Sequence, residues 1–81
     1  MDHERIAPGD QQDWRRLLGR KVSIRYRLHD DGAGDVFSEA IGVVMGVSEA
    51  SAGSIIKIVT KRGEVREVPV GDVVAGKAWL V

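Results

Sequence analysis

The chain reads as an all-β small barrel of about five strands, with a short N-terminal helix and a 3₁₀ turn before the last strand. Three observations predict it. From Val22 to Leu28 apolar and polar residues alternate without a slip, which is the period of a half-buried strand. The remaining apolar runs are short and are separated at close intervals by glycine-bearing or polar turns, the spacing of a small barrel. No segment sustains a helical period for more than two turns.

In chain order, residues 1–9 show no periodicity and contain the breaker pair Pro8-Gly9, so a loose, disordered tail is expected there. The folded unit then runs over residues 10–81 as one domain, since a chain of 81 residues is far below the length at which domains split. Asp10 suits a helix N-cap and Asp13 its first turn. Trp14, Leu17 and Leu18 follow at helical spacing and form an apolar face that must dock on the sheet. Gly19 suits the residue that ends the helix.

The strand from Val22 turns Val22, Ile24, Tyr26 and Leu28 inward and Ser23, Arg25 and Arg27 outward. His29 to Asp35 is an acidic, glycine-bearing loop. Phe37 to Val47 is one long strand, and Gly42 and Gly46 are the places where it bends. Residues 49–54 form a second loop. Ile55 to Thr60 is β-branched except at Lys57 and reads as a central strand. Lys61-Arg62-Gly63-Glu64 is a tight hairpin turn with Gly63 at positive φ. A strand returns over Glu64 to Val68 and stops at Pro69, which cannot donate to a ladder. Val70 to Val74 makes the 3₁₀ turn. Lys77 to Val81 closes the barrel, with Trp79 and Val81 on one side. Trp14, Tyr26, Phe37 and Trp79 are all expected on apolar faces. This order of elements is that of the SH3-like small barrel.

Charge and composition exclude several functions. Twelve Lys and Arg balance twelve Asp and Glu, which argues against a surface devoted wholly to nucleic acid. With no cysteine there is no disulfide, thiol nucleophile or thiolate metal site. No apolar run approaches the length of a membrane span, and the polar, acidic N-terminus resembles neither a signal nor a transit peptide; the expected compartment is the cytoplasm. His29 with Asp30, Asp31 and Asp35 lacks the spacing of a metal loop. The serines have no triad partners, and the glycine pairs lack the setting of a phosphate-binding loop. No catalytic residue, cofactor or metal ligand is assigned.

The remaining candidate is a cationic stripe. Arg25 and Arg27 project from one strand about 7 Å apart, and Lys61, Arg62 and Arg66 crown the hairpin. Such a row suits phosphates or carboxylates. It equally suits a solvated strand face paired with Glu64 and Glu67 across strands. A nucleic-acid platform normally interleaves exposed aromatic residues, and the chain has only four aromatics (two Trp, one Tyr, one Phe).

Two segments carry a family resemblance. Val22, Ile24, Arg25, Tyr26, Arg27 and Leu28 form one. Lys61, Arg62, Gly63, Glu64, Val65, Arg66, Val68, Pro69, Asp72, Val73, Val74 and Lys77 form the other. Together, across Gly19 to Lys77, they resemble the SH3-like domain at the N-terminus of certain actinobacterial GNAT-type N-acetyltransferases. The resemblance implies a non-catalytic accessory or interaction module whose partner is an acetyltransferase domain or another protein. The alternative is a small nucleic-acid-binding barrel using Arg25, Arg27, Lys61, Arg62 and Arg66. Either would be a monomer or a weak homodimer. The family's acetyl-CoA-binding domain has no counterpart in these residues. Arg66-Glu67-Val68-Pro69 is one residue longer than the family pattern, which implies a bulge at the end of that strand.

Overall fold

Six antiparallel strands form one curled sheet: β1 (His3–Ile6), β2 (Lys21–His29), β3 (Asp35–Ala50), β4 (Gly53–Thr60), β5 (Val65–Pro69) and β6 (Val73–Trp79). Their order is β1-β6-β2-β3-β4-β5, so β1 and β5 are the edges and the barrel is partly open. The computed structural model describes residues 3–9, 12–29, 35–51 and 53–79. Two single-turn 3₁₀ helices, Trp14–Leu17 and Val70–Asp72, complete the fold. The expected all-β small barrel is what forms.

One hydrophobic cluster fills the concave side. Val22 and Ile24 of β2, Val44 of β3, Ile56 and Ile58 of β4 and Val68 of β5 are each no more than 1% exposed. Trp14 and Leu17 close one end. Burying an aliphatic side chain of this size contributes about 2 kcal/mol, and the described residues bury no polar or charged side chain against that gain.

β3 is long because it serves two partners. Its first half pairs with β2 from Asp35 to Val43, and its second half pairs with β4 from Gly42 to Ala50. The register slips between Val44 and Gly46, a bulge that bends the strand where the glycines stand. Gly42 is where the two halves cross, and a Cβ there would overlap the Val59 carbonyl. Gly63 turns the β4–β5 hairpin at φ 86°, with its amide donating to the Thr60 carbonyl at 2.9 Å. Pro69 ends β5 on the open edge of the sheet, where its missing N–H costs no ladder bond.

The structure departs from the sequence expectations in several places. Residues 3–9 are not a tail. His3–Ile6 pairs with β6 and Ile6 is 1% exposed in the core, so the described residues form six strands. Glu4 holds the strand down: its Oε1 accepts from Arg20 Nη1 at 2.9 Å and from Arg16 Nη2 at 3.0 Å.

The N-terminal helix is a single 3₁₀ turn without a side-chain cap; the expected cap, Asp10, lies outside the described residues. At three residues per turn Trp14 and Leu17 eclipse, so both are buried while Leu18 leaves the face and is exposed. The expected bulge after Arg66 is absent, since β4 and β5 pair without a shift from Ile55↔Pro69 to Val59↔Val65. Besides the β3 slip, the other irregularity lies between Arg25 and Tyr26 against β6. β6 begins at Val73, earlier than expected, and Val81 lies outside the described residues.

Leu28 is exposed although it shares the parity of Val22, Ile24 and Tyr26. The pairing of β2 with β6 stops at Tyr26↔Val73, so beyond that point only β3 flanks the strand and no core lies beneath it.

Candidate functional site

The convex face of the sheet carries the residues that the core does not use. Registers across neighbouring strands set its rows. One runs Lys21↔Val43↔Val59↔Val65 from β2 to β5. On the other side of Lys21, its Nζ lies 5.3 Å from the centroid of the Trp79 ring. A second row runs Arg5↔Lys77↔Ser23↔Ile41. A third holds Ala75, Arg25 and Glu39, and a fourth Arg27 and Phe37.

These rows divide the convex face into two halves. The β3–β4–β5 half is apolar: Ile41 is 49% exposed, Val43 41% and Val65 55%, with Val59 half-buried between them. A depression of about 440 Å³ lies here, lined by Lys21, Ile41, Val43, Val59 and Lys61 among others. The β1–β6–β2 half is cationic and aromatic. Lys21 and Lys77 flank Trp79 at 5.3 and 5.6 Å, and Arg25 and Arg27 approach Phe37 at 5.0 and 5.9 Å.

The five cations singled out from the sequence fall into separate groups. Arg25 and Arg27 are exposed on the convex face. Lys61 and Arg62 are exposed in the β4–β5 turn. Arg66 pairs with Ile58 and so has the parity of the concave face, and it lies 3.8 Å from Glu64. Glu64 and Glu67 do not pair with the β2 arginines, because Glu67 contacts Lys57 at 3.7 Å and the residue opposite Arg25 is Glu39.

Phe37 is the main correction. Expected in the core, it is 40% exposed and serves as the platform beneath two guanidinium groups. Trp79 is only half-buried and plays the same part for two ammonium groups. The signal for Trp79 was present in the alternation Ala75, Lys77, Trp79, which matches the outward parity of β2. Phe37 had no such signal.

Among the described residues no group of His, Asp and Glu is arranged to hold a metal ion; every side chain of the acidic loop, His29 to Asp35, lies outside them. No helix of the described residues is long and apolar enough to cross a membrane.

No curated protein and no solved structure matches the chain. Residues 16–77 match the family model of the Rv0428c N-terminal Sm-like domain, almost the same span over which the two sequence motifs occur. That match covers well over half of the 81 residues, and the chain belongs to the Rv0428c N-terminal Sm-like domain family.

Proposed function

We propose that this domain is a non-catalytic interaction module that docks another protein through its convex face. The observation that carries the reading is the row Val43–Val59–Val65 with Ile41 beside it, aliphatic side chains in register on three strands and open to water. A contiguous apolar patch rimmed by charge is the usual mark of an interaction surface. Its rim is in place: Lys21 and Lys61 border the depression at its ends.

The partner implied by the sequence resemblance is a GNAT-type acetyltransferase domain, with the barrel as its accessory. A cytoplasmic setting goes with that reading. Titrating ¹⁵N-labelled barrel with such a domain tests it. The expected result is a set of amide shifts at Ile41, Val43, Val59 and Val65. An unchanged spectrum at high micromolar concentration of the domain would overturn it.

The alternative expectation, a nucleic-acid barrel gripping phosphates with Arg25, Arg27, Lys61, Arg62 and Arg66, has less support. Those five do not form one continuous track, and the Phe37 and Trp79 rings have cations stacked on them already, whereas base stacking needs open ring faces.

A further inference from the structure

The two halves of the convex face differ in how their charges are compensated, and that difference specifies the partner. On the β4–β5 side of the convex face Lys57 is matched by Glu67, and the exposed cations Lys61 and Arg62 stand beyond the strands in the turn. On the β6–β2 side Lys21, Arg25 and Lys77 make no ion pair with another described residue, and Glu39 is the one acidic neighbour in their register. Arg5 of β1, opposite Lys77, adds a further cation to the same side.

Two of these cations, Arg25 and Lys77, line a shallow depression of about 280 Å³ together with Ser23, Glu39, Ala75 and Gly76. Its floor is low because Ala75, opposite Arg25, is small. The walls offer a guanidinium fork, an ammonium group and a hydroxyl as hydrogen-bond donors, two cations against the single carboxylate of Glu39. Phe37 and Trp79 hold Arg25 and Lys77 from the outside at 5.0 and 5.6 Å. Cations so braced lose less side-chain freedom on meeting an anion.

We propose that this depression receives aspartate or glutamate side chains of the docking protein. The partner surface is then an apolar ridge for Ile41, Val43 and Val59, with carboxylates along the side that overlies β2 and β6 and none required over β5. The inference rests on the reading of the convex face as a protein-docking surface, and the charge asymmetry fixes which way round the partner sits.

The test uses the intact chain and three probes: an end-blocked hexaglutamate peptide, a hexalysine peptide and a six-nucleotide oligothymidylate. Added to ¹⁵N-labelled protein at low salt, hexaglutamate is expected to shift the amides of Ser23, Arg25 and residues 75–77, and the shifts are expected to fade as salt rises. The exposed Arg25→Gln/Lys77→Gln double variant is expected to weaken that binding about tenfold. Hexalysine is expected to leave those amides unmoved. No shift with hexaglutamate, shifts centred on Lys61 and Arg62, or preferential binding of the oligonucleotide at this site would each overturn the proposal.

A Val43→Asp variant separates this inference from the function it rests on. Loss of acetyltransferase-domain docking with hexaglutamate binding intact supports both. Docking that persists while hexaglutamate fails to bind overturns the charge assignment alone. An acetyltransferase domain that does not dock to a barrel still binding hexaglutamate overturns the partner reading alone.

Discussion

The Arg25 guanidinium lies 5.0 Å from the centroid of the Phe37 ring, and Arg27 shares the same ring at 5.9 Å. Phe37 is therefore a surface residue with a structural role, ordering two neighbouring cations on β2. Replacing it with leucine keeps most of the apolar area and removes the ring quadrupole. Phe37→Leu is expected to cost about 1 kcal/mol, the scale of exposed cation–π contacts, read as a lower urea midpoint at unchanged slope. Arg25→Lys should lose less, because an ammonium can still face the ring.

Glu4 and Arg20 tie the edge strand to the barrel. Arg20 donates through Nε and Nη2 to the Trp79 carbonyl at 3.2 and 2.8 Å and through Nη1 to Glu4 at 2.9 Å. Its side chain is 23% exposed, so these charge-assisted bonds are only partly screened. Arg20→Ala is expected to cost about 2–3 kcal/mol and Glu4→Gln, which keeps an acceptor, about 1 kcal/mol. Amide hydrogen exchange should localise the loss: the β1 amides should lose protection first, while β4 keeps its own.

Gly42 stands where β3 passes from β2 to β4, with the Val59 carbonyl in the place of a Cβ. Backbone cannot move aside as a side chain can. Gly42→Ala is expected to destabilise by at least about 3 kcal/mol, which for a domain of this size lowers Tm by roughly 12 °C or more. At Gly46 nothing lies within 4 Å of the place a Cβ would take. Alanine there should bring a far smaller loss, and thermal melts of the two variants side by side check the contrast.

What the sequence made legible follows from how many faces each strand has to commit. β2 is apolar on one side only, so Val22, Ile24 and Tyr26 could be placed inward by alternation alone, and the turn at Gly63 announced itself through its residue type. β3 is apolar on both sides: Phe37, Ile41 and Val43 face out while Ala40 and Val44 face in. Periodicity therefore carried no phase for it, and only the register with β2 decides that Phe37 lies beside Arg27. The candidate site lies largely on this strand, which is why the arginines were found and their aromatic platform was not. β1 was missed for a different reason. Four residues with a single buried aliphatic, Ile6, give no periodic signal; the strand exists because β6 offers an edge and Arg20 offers a partner for Glu4.

Val43 and Val44 are adjacent residues on opposite faces, 41% and 1% exposed, and they separate folding from docking. Val44→Ala removes methyl groups from the sealed cluster and is expected to cost about 2 kcal/mol through lost transfer energy and the cavity left behind. Val43→Ala touches no core residue and should stay within about 0.5 kcal/mol of the parent. The order reverses for association. Val43 lies in the apolar row between Lys21 and Val59, with Ile41 beside it on its own strand, where a partner that covers the row would exclude water from it. Val43→Asp is expected to weaken docking of an acetyltransferase domain at least about tenfold with the urea midpoint little changed, and Val44→Ala to lower the midpoint while leaving docking by the folded fraction intact. Equal losses of docking in the two variants, measured by calorimetry under conditions where both are folded, would show that the convex row is not the interface.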